Sequence, residues 1–200
     1  PWWKYRISKP SQGTDVRAKA TYTPSNHWEM YLTYQYKRKE RDVTGTGGEV
    51  TLPVYHHKLR YRLTWDNGMW QMRSTIDYNR FQQQSYEARQ GFAVSQMCQY
   101  THPNLPFRVA LQGSYFNTDD YDSRVYVYEK GLLHTFYTPS FQGRGFRYSA
   151  NIRYDMGNRL MLLLKFGETI YQNRDTIGSG SDLIDSNRKA DLQIQVRLKL

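Results

Sequence analysis

The chain has 200 residues, enough for one domain with a sizeable core. Mean hydropathy is low at -0.83, yet 16% of residues are aromatic, including 18 Tyr, and the formal net charge is +10. The aromatics exclude a disordered chain, no apolar run has the length of a membrane helix, and the single Cys98 excludes an internal disulfide or a cysteine-based metal site.

Strict period-two alternation predicts strands throughout, because successive side chains of a strand take opposite faces. Trp3, Tyr5 and Ile7 alternate with Lys4 and Arg6, and Val16, Ala18, Ala20 and Tyr22 with Arg17, Lys19 and Thr21. Trp28, Met30, Leu32, Tyr34 and Tyr36 oppose Glu29, Tyr31, Thr33, Gln35 and Lys37. Leu59 to Trp65 and Trp70 to Tyr78 continue the pattern, with Lys58, Arg60, Arg62, Arg73 and Asp77 on the polar face. Phe92 to Tyr100, Phe107 to Tyr115, Phe146 to Tyr154 and Leu160 to Phe166 follow. The last stretch is the cleanest: Ala190, Leu192, Ile194, Val196, Leu198 and Leu200 face one way, Lys189, Asp191, Gln193, Gln195, Arg197 and Lys199 the other. That makes about ten strands.

The predicted connections alternate in length. Short ones fall at Pro24-Ser25-Asn26, Asp66-Asn67-Gly68, Pro103 to Pro106 and Met156-Gly157-Asn158, where Asn and Gly supply the positive φ of tight turns. Long ones fall at Glu40 to Pro53, Phe81 to Tyr86, Thr118 to Gly145 and Asn173 to Asn187. Outer-membrane barrels keep this parity, with short periplasmic turns and long extracellular loops. The expected fold is therefore all-β, an antiparallel up-and-down transmembrane β-barrel of the bacterial outer membrane spanning residues 1–200. The 118–145 segment is read as an extracellular extension or as a loop folded into the lumen. The chain opens on strand-like residues with no leader, so the expectation is a C-terminal fragment of a larger barrel.

The inward face carries a surplus of cations. Arg60, Arg62, Arg73, Arg89, Arg108, Arg147, Arg153 and Arg197 form the candidate basic lumen face, against few inward acids (Glu29, Asp77, Asp155, Asp191). Unpaired charges in a narrow barrel are costly, so the favoured reading pairs them with acids on other strands or with a plug. The alternative is a wet lumen that favours carboxylates, phosphates or lipopolysaccharide groups. Leu162, Leu164, Ile194, Val196 and Leu198 are the candidate lipid-facing residues. Adjacent His56 and His57 point to opposite faces and cannot share a metal, and no metal-ligand spacing appears, so no metal or other cofactor is expected. His134, Ser140 and Asp119 or Asp120 lack any hydrolase signature, and no catalytic residue is assigned.

Certain segments carry a resemblance: Ser123-Arg124-Val125-Tyr126-Val127-Tyr128-Glu129, Leu132-Leu133, Phe141-Gln142-Gly143-Arg144-Gly145, Arg147-Tyr148, Lys165-Phe166-Gly167, Arg174 to Gly180 and Gln195 to Leu200. Together they resemble the C-terminal barrel part of a Bacteroidota protein family whose members also carry an N-terminal helix-hairpin-helix region. The resemblance implies the last part of a larger outer-membrane barrel and transfers no activity. The helix-hairpin-helix region is absent from these residues, so no nucleic-acid partner is expected. The functional expectation is a non-enzymatic barrel acting as an accessory or structural subunit of an outer-membrane assembly. Its expected partners are outer-membrane lipid, including lipopolysaccharide, and other barrel or lipoprotein subunits. An anion-favouring pore is the first alternative and a soluble basic β-protein that binds nucleic acid or glycan the second.

Overall fold

The structure, a computed structural model, describes every residue except 1–6, 46–47, 85, 136, 158 and 199–200. It is all-β, antiparallel and up-and-down. Nine strands form one sheet among the described residues: β1 (Thr14–Ser25), β2 (Trp28–Gly45), β3 (Gly48–Asp66), β4 (Trp70–Gln83), β5 (Arg89–Thr101), β6 (Phe107–Thr118), β9 (Arg144–Met156), β10 (Leu160–Tyr171) and β11 (Arg188–Leu198). Each pairs with its sequence neighbour, and β6 pairs directly with β9. The short β7 (Val125–Tyr126) and β8 (Ser140–Phe141) pair apart from this sheet. The strand expected at Trp3 to Ile7 lies almost wholly outside the described residues; Ile7 itself is buried but belongs to no strand.

Turn chemistry sets the hairpins. The Asp66 carboxylate accepts from the Gly68 amide at 2.7 Å, and the Asn67 side-chain oxygen accepts from the Trp70 amide at 2.7 Å. Gly68, at φ +86°, supplies the left-handed residue that the turn needs. One sequence expectation is overturned here. Glu40 to Pro53 is not a long loop, because β2 and β3 stay paired from Lys39↔Val54 to Gly45↔Gly48. The Val43↔Val50 pairing and the alternating chemistry around it favour the ladder over a coil. The hairpin simply outruns its neighbours, since β1 begins opposite Arg38 and β4 ends opposite Val54.

The two faces of the sheet differ sharply. One cross-strand row runs Trp28, Trp65, Met72, Cys98, Leu111, Ala150, Phe166, Leu192 over eight strands. Another runs Leu32, Tyr61, Ile76, Val94, Tyr115, Phe146, Ile170. These outward side chains are largely exposed, reaching 56% at Leu111 and 62% at Leu192. The few polar side chains among them bond to each other across strands, Ser74 to Gln96 and the Tyr148 hydroxyl to Glu168.

The opposite face is covered over its middle strands, while every residue of β1 stays exposed. Residues 119–143, the connection between β6 and β9, fold back along it as a strap. Asp122 lies by Arg89 at one end of β5, and Lys130 reaches Gln99 towards the other, so the strap runs along the strand direction. Yet it touches β2 through Arg41, β3 through Arg60, β4 through Asn79, β6 through Gln112, β9 through Asn151 and β11 through Gln195. A segment lying lengthwise can meet so many neighbouring strands only if the sheet curls around it. The strap's own core is Val125 and Val127, packed with Ala93, Phe116 and Phe141, with the Phe116 and Phe141 rings stacked at 4.7 Å. The described residues of this connection that make these contacts thus lie against the inner face of the sheet.

Candidate functional site

The inner face owes its character to strand parity. Inward positions of β3 and β4 bring Arg60, Arg62 and Arg73 together with Asp77 beneath Tyr128 of the strap, leaving a gap of only about 10 Å³. Arg60 donates through Nε to Asp77 at 2.6 Å and through Nη2 to the Tyr126 carbonyl at 3.0 Å. Arg62 lies over the Tyr31 ring, 4.9 Å from its centre, and Arg73 donates to Gln71. Arg62 and Arg73 are diagonal rather than directly opposed, since Arg62 faces Thr75 and Arg73 faces Thr64. The Nε atoms of both are buried without a hydrogen-bond partner among the described residues.

On the other flank the strap supplies counter-charges. Glu129 has a side chain only 1% exposed and meets Arg147 at 2.5 Å and Lys165 at 3.2 Å. Arg147 also donates to the Thr169 hydroxyl and meets Asp191 at 2.9 Å. Asp120 takes Arg89 at 2.6 Å, and Asp122 takes Arg41 at 3.0 Å. Arg153 pairs with Asp155 at 2.9 Å. Arg108 and Arg197 stand exposed towards the short-turn end, Arg108 beside the strap and Arg197 beside Arg153. Of the eight arginines named from the sequence, Arg60, Arg89, Arg147 and Arg153 thus meet an acid, and two of these, Arg89 and Arg147, meet one on the strap.

Sequence reasoning missed Glu129, Asp120 and Asp122 as inward acids. A signal for the first was present: Ser123, Val125, Val127 and Glu129 share one period-two face, and all four are buried. Inward glycines are a second signal. A side chain at Gly91 would collide with the Ser123 carbonyl of the strap, and one at Gly167 with the Arg147 guanidinium.

Where the strap does not fill the interior, cavities remain. Two adjoining clefts of about 390 and 240 Å³ lie between β1–β4 and the strap on the long-loop side, sharing Gln35, Lys58, Asn79 and Tyr126. A third of about 550 Å³ lies towards the short-turn end, bordered by Arg108, Lys130 and Arg153. Tyr128, Arg60, Arg62 and Arg73 pack between them on the β3–β6 side. His134, Ser140 and Asp119 form no catalytic grouping: Ser140 pairs in β8, and Asp119 accepts from the Gln90 amide. Among the described residues no three His, Cys, Asp or Glu side chains gather where a metal ion could bind.

Of the outward candidates, Leu162, Ile194, Val196 and Leu198 are exposed, and Leu164 is half-buried on the same face. No protein-family model matches the chain, and no curated protein matches it. Among solved structures it is similar to one described as a NanC porin, at TM-score 0.44 and 12% identity, with 94% of each chain covered. The fold assignment stands on the strand pairing itself.

Proposed function

We propose that this chain is a non-enzymatic wall of an outer-membrane β-barrel, with a basic, strap-narrowed lumen that favours anions. The carrying observation is the exposed apolar face, continuous across eight strands. Soluble monomers rarely expose apolar patches beyond a few hundred Å², whereas a bilayer takes such a face directly. Trp28 with Trp65 and Trp70 with Tyr100 put paired aromatics near the short-turn ends, as an interfacial girdle would. Outer-membrane lipid, lipopolysaccharide included, is then the partner of the outer face. The resemblance to the Bacteroidota barrel family fits the same reading.

A second reading, an accessory subunit of a larger envelope assembly, rests on one observation. Neither β1 nor β11 has a second strand partner among the described residues, and unpaired strand edges are costly inside a bilayer. Planar-bilayer recording under a KCl gradient separates the readings. The pore reading expects small, anion-selective openings in the parent protein and larger ones when Glu129→Gln loosens the strap. Cation selectivity contradicts the basic lumen, and silence in both proteins overturns the pore in favour of the subunit.

A further inference from the structure

The 390 Å³ cleft at the long-loop end gathers more cations than the other cavities of the interior described above. Seven cationic side chains line it against one carboxylate, Asp122, which Arg41 already holds at 3.0 Å. Asp15 reaches in from β1 to Arg17 and Lys37, each at 3.5 Å, and a surplus of positive charge still remains. Cations also outnumber acids elsewhere on the inner face, as at Arg60, Arg62 and Arg73 around Asp77, but more of them line this cleft than line that cluster or the cavity at the short-turn end.

Its cations are positioned rather than splayed. The Arg124 guanidinium sits over the Tyr121 ring at 4.0 Å, donates to the Tyr126 hydroxyl at 2.8 Å and to the Tyr121 carbonyl at 2.7 Å. The Lys58 ammonium stands 5.7 Å from the centre of the Tyr126 ring. Cation–π and carbonyl contacts orient a cation without neutralising it, so its charge stays available to an anion. The amides of Gln35 and Asn79 on the same wall are further polar groups, and the volume is that of a small-molecule site.

We propose that this cleft is a binding site for a small, soluble, multivalent anion, one with two or more phosphate or carboxylate groups, at the long-loop entrance. The proposal rests on the inner-face reading above and deepens it: the strap makes a selective vestibule as well as a constriction. A monovalent anion meets only one of the spaced cations. A multivalent one spans Lys37, Lys58 and Arg124 together, and should bind far more tightly and with strong salt dependence.

Isothermal titration of the full chain, folded in detergent micelles, with inorganic pyrophosphate tests this. One site per chain is expected, weakened on adding salt and not displaced by equimolar acetate. Lys58→Gln should weaken binding about tenfold, the scale of one charge-assisted contact. Asp15→Asn removes a competing carboxylate and should tighten binding several-fold, a gain that misfolding cannot produce. Arg153→Gln, at the other end of the interior, should leave binding unchanged. Absence of a pyrophosphate response, equal affinity in the parent and Lys58→Gln, or a response to lipopolysaccharide alone overturns the proposal. Because binding is read without conductance, a silent bilayer recording would sink the pore reading and leave this site standing, and the converse holds.

Discussion

Glu129 carries more consequence than any other single side chain of the interior. Two cations converge on a carboxylate that is essentially inaccessible, and the strap's return path depends on it. Removing one partner of a buried ionic group leaves the other uncompensated, at a cost of about 3–5 kcal/mol. Glu129→Gln keeps shape and one acceptor oxygen, and Asp191 still holds Arg147, so a loss of about 3 kcal/mol is expected. Urea unfolding from lipid vesicles measures it. A loss below about 1 kcal/mol, the level of exposed ion pairs, would show that this group is not sequestered. None of this was visible while the inward acids were sought on strands alone. The alternation from Ser123 to Glu129 signalled a strand-like face, but nothing local told which wall that face would meet.

At the level of elements, the outward faces were the most legible part. Strand β11 carries an uninterrupted period-two pattern from Lys189 onward, and a one-residue register slip would put its charges on the wrong face. The β2–β3 hairpin was less legible. Its outer part reads as polar loop sequence, and only cross-strand pairing turns it into ladder. The strap is the opposite case, a segment with little regular structure that is nevertheless buried along one side. Gly91 is where a wall strand yields to it, since the Ser123 carbonyl occupies the space that a side chain would need. Gly91→Val should therefore lift the strap while leaving the sheet intact. Limited proteolysis should cut between residues 124 and 142 in this variant and spare the parent, with far-ultraviolet circular dichroism unchanged. Equal resistance in both proteins would mean that the strap does not depend on this gap.

At the scale of the whole molecule, parity organises everything. The short connections after β1, β3, β5 and β9 fall at one end of the sheet and those after β4, β6 and β10 at the other, where the β2–β3 hairpin is the exception to the expected long loops, paired out to Gly45↔Gly48. An apolar exterior, a polar interior and a strap inserted from the long-loop end then follow from alternation, antiparallel pairing and one long connection. The net charge alone did not reveal how the cations are used: Arg60, Arg89, Arg147 and Arg153 answer acids of the same chain, while seven cations gather around the cleft between β1–β4 and the strap. The central claim is that the outward face contacts lipid and the inward face does not. It is tested most directly along β11, by placing an environment-sensitive fluorophore on single cysteines at Gln193, Ile194, Gln195 and Val196 in a Cys98→Ser background and quenching with nitroxide lipids in refolded vesicles. Strong quenching and blue-shifted emission at Ile194 and Val196, with weak quenching at Gln193 and Gln195, is the expected alternation; uniform quenching at all four positions would contradict it.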